Sequence, residues 1–316
     1  MTVSHIHARL VAGFLALLVS MATVGGCGDA VGLDYGGGQS DQTVDVGGRT
    51  REFIAYVPQG LTPGQPAPLL LVFHGVPMEA ENMVLLTWFN AHAERTGTVV
   101  AYMQADGDGW VSVGAPPGAE PTGELGYVAA VIDRIDADVD IDRSRVYAAG
   151  FSNGGLFTQR LACQFADRIA GIGVVGATII LPVVQGCAPS RHIPVIAFQG
   201  DRDPSFPWGE IGASTIAALG GEQSAQFWAD LNDCGLAHDV TTLPDLVDDA
   251  TTVERWSWPG CPADGQVVFH HIVGGGHTWP GSPLNLGAEL GAKSRDIDAS
   301  RIMLDFLLQQ RLGSGA

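Results

Sequence analysis

Residues 145–169 read RVYAAGFSNGGLFTQRLACQFADRI, and the character of the chain changes in the middle of that stretch. Up to Phe151 the residues are apolar, small or aromatic, as in a strand buried on both faces. From Asn153 onward, Phe157, Leu161, Phe165 and Ile169 recur at every fourth position, the spacing of a helix with one buried stripe. Between the two lies Gly150-Phe151-Ser152-Asn153-Gly154, which fits G-x-S-x-G. Glycines on both flanks let a strand turn sharply into a helix, and such a turn lifts the central serine clear of the sheet. Ser152 is therefore a candidate nucleophile.

Working outward, residues 51–58, 69–74 and 99–103 read as strands upstream, and residues 123–136 have helical spacing. Downstream, residues 172–175, 193–198 and 267–272 read as strands, with helices over 213–231 and 299–312. Strand, helix and strand in alternation predict right-handed crossovers and an α/β fold: a mostly parallel central sheet with helices on both faces. No break in composition divides residues 49–313, so a single domain is expected there. The Pro/Gly-rich loops 105–124, 178–192 and 278–296 are where substrate selection would sit if the site lies at the strand ends.

A serine hydroxyl becomes a useful nucleophile only when a neighbouring imidazole takes its proton. Of the nine histidines, His277 ends Gly274-Gly275-Gly276-His277, in the loop after the last strand and late in the chain. The carboxylate that would orient it should follow another strand between Ser152 and His277. Residues 193–198 run into Gln199-Gly200-Asp201-Arg202-Asp203-Pro204, which offers two candidates. Asp203 is preferred because Pro204 fixes the chain just after it, whereas Asp201 reads as a local cap of the turn. The N-terminus of the helix after Ser152 points free N–H groups toward a developing oxyanion, and the N–H of Asn153 is one expected donor.

A formal charge of −18, with Lys293 the only lysine, leaves no cationic stripe to track a phosphate backbone, so a nucleic-acid partner is not expected. Residues 10–24 form an apolar run of 15, short for a membrane span but right for the core of a signal peptide over residues 1–26. The run ends in Val24-Gly25-Gly26-Cys27, which resembles a bacterial lipobox, with Cys27 as the lipidated residue. Residues 27–48 would then be anchor and tether, the only expected link to a membrane, and the protein would face the outside or the periplasm. Cys163, Cys187, Cys234 and Cys261 remain, an even set that suggests two disulfides among three possible pairings. Cys163–Cys187 and Cys234–Cys261 are favoured because each pair closes a single stretch of chain. Neither pair has zinc-site spacing, no phosphate-cradling loop precedes a helix, and neither metal nor organic cofactor is expected.

The residues quoted so far resemble those of the esterase family that contains secreted polyhydroxybutyrate depolymerases, feruloyl esterases and acetyl xylan esterases. The resemblance rests on His74-Gly75 after a buried strand, on residues 145–147 leading into 150–155, and on residues 274–281, GGGHTWPG. It covers roughly residues 50–312. It implies an α/β-hydrolase fold, a Ser152, Asp203, His277 triad, and an oxyanion hole from the N–H groups of Asn153 and Val76. It also implies that His74, Gly75 and Trp279 line the substrate pocket, and it supports the favoured cysteine pairing. The acid segment departs from the family pattern, with Gln199 where a histidine is common and Ser205-Phe206-Pro207 where Val-Pro is common. No separate substrate-binding module is visible, so a soluble ester or short oligomer fits at least as well as a solid polyester. A serine peptidase with the same triad, or a surface binding protein on a degenerate hydrolase fold, are the rival readings.

Overall fold

Six parallel strands form the middle of one ten-stranded sheet, and antiparallel strands finish it at both edges. The computed structural model describes residues 32–313, apart from residues 108, 111–122, 207 and 210–216. In chain order the first half runs β1 Gly38–Val46, β2 Arg49–Val57, β3 Ala67–Phe73, α1 Ala80–Thr87, α2 Phe89–Thr96, β4 Val99–Met103, α3 Glu124–Asp138, β5 Ile141–Phe151 and α4 Asn153–Gln164. The second half runs β6 Gly171–Val175, α5 Leu181–Gly186, β7 Val195–Gly200, α6 Gly221–Leu231, β8 Asp239–Thr242, β9 Thr252–Ser257, β10 Val267–Val273 and α7 Ala299–Leu307. The sheet order is β1-β2-β4-β3-β5-β6-β7-β10-β9-β8, with β4 through β10 mutually parallel.

A parallel strand carries helices on both faces, so its side chains must be apolar on both. Every residue of β3, β4 and β6 is buried. Leu69, Leu71 and Phe73 point into the layer beneath α3, α4 and α6, where Val131, Phe157 and Trp228 pack. Leu70 and Val72 face the opposite layer with Met83 of α1, Phe89 of α2 and Met303 of α7. Each such side chain contributes about 1.5–3 kcal/mol through removal from water, so two full layers hold the parallel strands flat between them. At Gly173 of β6, α7 comes so close that a Cβ would stand 2.3 Å from the Met303 sulfur. Two disulfides tie chain ends of helices to their surroundings: Cys163 to Cys187, with Cα atoms 4.7 Å apart, and Cys234 to Cys261, 3.8 Å apart.

Several elements differ from the sequence expectation. Residues 38–46, expected within a tether, form the edge strand β1, paired antiparallel with β2 over its whole length. Only Gln42 and Val46 of β1 are buried, so backbone pairing rather than an apolar pattern makes the strand. The helix expected over 213–231 starts at Gly221, after Gly220 in an extended conformation. The helix expected to run to residue 169 stops at Gln164, and the one expected to reach 312 stops at Leu307. The short helices α1, α2 and α5 and the hairpin β8–β9 were not anticipated. The expected leader and Cys27 lie outside the described residues. Among the described residues, no helix is long and apolar enough to cross a membrane.

Candidate active site

Ser152 stands at the junction of β5 and α4 with φ +54° and ψ −120°, a backbone conformation that side-chain-bearing residues rarely adopt. Such a residue stores on the order of 1–3 kcal/mol, which surrounding structure must offset. Its N–H donates to the Val175 carbonyl at 3.0 Å, which pins the turn to β6. The flanking glycines are required by close approach: a Cβ on Gly150 would lie 2.3 Å from the Gly154 oxygen, and one on Gly154 would lie 2.2 Å from the Phe73 oxygen. The G-x-S-x-G spacing is thus the footprint of a helix start pressed against two parallel strands. The first N–H groups of α4, from Asn153 on, have no intrahelical acceptor and face the serine end.

The loops that carry Asp203 and His277 leave the neighbouring strands β7 and β10, whose register runs to Gly200 and Ile272. Beyond it the ladder continues irregularly, with the Asp201 N–H on the Ile272 carbonyl at 3.2 Å and the Arg202 N–H on the Gly275 carbonyl at 2.9 Å. The Gly274 N–H donates to Asp201 Oδ1 at 2.7 Å. The two loops are one zipped unit. His277 is held in turn by its N–H on the Leu290 carbonyl at 2.6 Å, and a Cβ on Gly276 would stand 1.9 Å from that same oxygen.

His277 Nδ1 lies 2.7 Å from Asp203 Oδ2, with side-chain exposures of 7% and 0%. Asp203 also accepts the Ser205 and Phe206 N–H groups on Oδ1, at 2.7 and 2.9 Å, and the Gln199 side-chain amide on Oδ2 at 3.1 Å. Three N–H donors converge on the Asp203 carboxylate besides the Nδ1 edge of His277, an environment that suits an acceptor-only group and leaves the Nε2 edge of the ring turned away from it. The ring sits between Phe206, at 5.9 Å, and Phe151, at 4.9 Å centroid distance, the latter being the residue before Ser152. Gly176 leaves the space for it, since a Cβ there would lie 3.2 Å from His277 Nδ1.

On the other side of the elbow, a Cβ on Gly75 would stand 3.0 Å from the Ser152 Cβ, so the chain at Gly75-Val76 runs directly beside the serine. His74 fixes this segment. Its Nε2 receives the Ala105 N–H at 3.1 Å and its Nδ1 lies 2.9 Å from the Gly75 carbonyl, which assigns the neutral Nδ1–H tautomer. Burial lowers the His74 pKa, in keeping with a neutral ring. Trp110 closes the segment from above, donating its indole N–H to the His74 carbonyl at 3.0 Å.

Two of the residues expected on the pocket wall are buried. His74 is 2% exposed with both ring nitrogens engaged by backbone, so it positions the Gly75-Val76 segment. Trp279 is 1% exposed, donates to Ser300 Oγ at 2.9 Å and packs edge-on against Phe89, so it is a core residue that anchors the loop after His277. Asp201 does not reach His277, and its main partner is 73 residues away rather than within its own turn. Gln199, Phe206 and Trp110 went unrecognised. Gln199 had a signal, because it occupies the position where the acid segment departs from the family pattern.

A family model described as Esterase PHB depolymerase matches residues 52–191, a span that includes His74, Gly75 and Ser152. Feruloyl esterase B of Piromyces equi is 27% identical over 72% of this chain, and the bifunctional acetylxylan esterase/xylanase XynS20E of Neocallimastix patriciarum is 27% identical over 73%. The matched regions are 42% and 31% of those two proteins, so the chain spans less than half of their length. Among solved structures, the acetyl xylan esterase from Aspergillus awamori superposes with a TM-score of 0.56 at 14% identity, over 76% of this chain and 94% of that one, which is a likeness of fold. Residues 52–191 match the Esterase PHB depolymerase family model, and the chain is a carboxylic ester hydrolase on the α/β-hydrolase fold.

Proposed function

We propose that the protein is an exported serine esterase that works through an acyl-enzyme, with Ser152 as nucleophile, His277 as base and Asp203 as orienter. A buried imidazole–carboxylate pair beside a serine in the left-handed region is the observation that carries this function. Ser152 Oγ attacks the ester carbonyl as His277 Nε2 takes its proton, and Asp203 stabilises the imidazolium that forms. The N–H groups of Asn153 and Val76 receive the oxyanion, an arrangement in which each donor supplies about 3–4 kcal/mol to the transition state. Collapse expels the alcohol, which takes the proton from His277. Water, deprotonated by the same nitrogen, then releases the acid and restores Ser152.

The substrate class proposed is feruloyl or acetyl esters of plant polysaccharide, with hydroxyacid oligoesters as the second choice. Names of the relatives support the first choice, and the family description supports the second. Two disulfides support an oxidising compartment, and the apolar run over residues 10–24 supports export, with Cys27 as a lipid anchor. The test is a panel of methyl ferulate, acetylated xylan, 3-hydroxybutyrate oligomers and p-nitrophenyl esters, with amides of the same shape. The proposal expects one ester class to turn over far faster than the rest and the amides to stay intact; amide turnover at a comparable rate would contradict it.

A further inference from the structure

Two aspartates follow β7, and the triad uses one. We propose that the other, Asp201, is the positioning residue of the base-bearing loop, and that His271, wedged between Asp201 and Glu254, holds its carboxylate in place. The proposal rests on the reading of Ser152, Asp203 and His277 as the triad.

Asp201 Oδ1 accepts the N–H of Gly274, three residues before His277. Gly274 has φ +78° and opens a run of three glycines, whose backbone freedom is costly to freeze, at about 1–2 kcal/mol per residue. A fixed acceptor at the first of them removes much of that freedom before the base is reached. A simple turn cap would bond within its own turn, whereas this carboxylate reaches across to the other loop.

The second oxygen of Asp201 has its own support. Oδ2 faces His271 Nε2 at 3.5 Å, and His271 Nδ1 lies 3.2 Å from Glu254 Oε2. In the sheet His271 is registered between Gln199 of β7 and Glu254 of β9. Trp208 stacks on the imidazole at 3.8 Å and 17°, and Trp256 meets it edge-on at 5.6 Å, so the ring cannot turn away. His271 Nε2 is buried without a hydrogen-bond partner 3.5 Å from Asp201 Oδ2, so the stacked ring backs the carboxylate by contact. One strand position thus serves each aspartate: Gln199 donates to Asp203, and its neighbour His271 backs Asp201.

Steady-state kinetics on p-nitrophenyl acetate, with thermal unfolding of each variant, test this. Asp201→Ala is expected to lower kcat by about 10- to 100-fold with KM within about twofold, because displacing a catalytic group by about 1 Å can cost 10²-fold. Asp201→Asn keeps the oxygen acceptor for Gly274 and is expected to restore kcat to within about threefold of wild type. His271→Ala is expected to lower kcat by about three- to tenfold, and it carries the test if Asp201→Ala fails to fold. Wild-type kcat in Asp201→Ala, a loss confined to KM, an Asn variant no better than Ala, or an unchanged His271→Ala would each overturn the proposal. Ser152→Ala is run alongside: if it is inactive while Asp201→Ala is not, this proposal alone fails, and if it turns over, the triad reading fails first.

Discussion

The Asn153 side chain grips the backbone of Trp110 from both sides, accepting its N–H on Oδ1 at 2.7 Å and donating from Nδ2 to its carbonyl at 3.3 Å. The first residue of α4 thereby fixes the residue whose indole holds the Gly75-Val76 segment. The Asn153 side-chain amide thus supports the Val76 donor, and the backbone N–H of the same residue is the other proposed donor.

Replacing Asn153 with Ala keeps that N–H but frees Trp110. Loss of two hydrogen bonds, at about 0.5–1.5 kcal/mol each, loosens the segment opposite the serine. kcat/KM is expected to fall by about 10- to 100-fold while the unfolding midpoint moves by only a few degrees. An unchanged kcat/KM would show that Val76 needs no such clamp.

Asp203→Asn should be far more damaging, because every group around that carboxylate donates. The Asn oxygen can keep the Ser205 and Phe206 N–H groups, which turns its amide toward Gln199 and His277 Nδ1. The imidazole must then present Nδ1 as acceptor and carry its proton on Nε2, where it cannot take one from Ser152. A loss of about three to four powers of ten in kcat, with the fold intact by circular dichroism, is expected. Activity within tenfold of wild type would exclude Asp203 as the orienter.

His270 supplies a pH dependence of stability unrelated to catalysis. Burial, with Arg255 nearby as a smaller contribution, lowers its pKa from 6.5 to about 3. Its ring is 1% exposed and stacks on Phe198 at 4.5 Å. Below pH 6.5 the unfolded chain takes up a proton there that the folded chain refuses, so this contribution is complete above 6.5 and is lost as pH falls toward 3. Between pH 6.5 and 5 wild type should lose about 1.5 kcal/mol more than His270→Phe in urea unfolding. Parallel losses would show that His270 is not held neutral.

Legibility from sequence followed the range of the interactions. β3 and β6 were plain because a strand with helices on both faces is a continuous apolar run, and the elbow was plain because its glycines are neighbours of the serine. β1 was not, since its nine residues bury only two and rely on pairing with β2. Residues 80–96 hid two short helices because Trp88, with φ +54°, breaks the helical period between them. At the site, residue types and chain order drew attention to Asp203 and His277, whereas the family resemblance put His74 and Trp279 on the pocket wall. Nothing local distinguishes a tryptophan that faces a pocket from one that donates to Ser300 in the core, and nothing near Asp201 announces Gly274 as its partner.

The most direct measurement of the central claim is stoichiometric labelling with a fluorophosphonate, read by intact mass and peptide mapping. The account predicts one adduct per chain, located on Ser152, absent from Ser152→Ala and slowed by several powers of ten in Asp203→Asn. An unlabelled wild-type protein that still hydrolyses esters, or an adduct on any other residue, would contradict it.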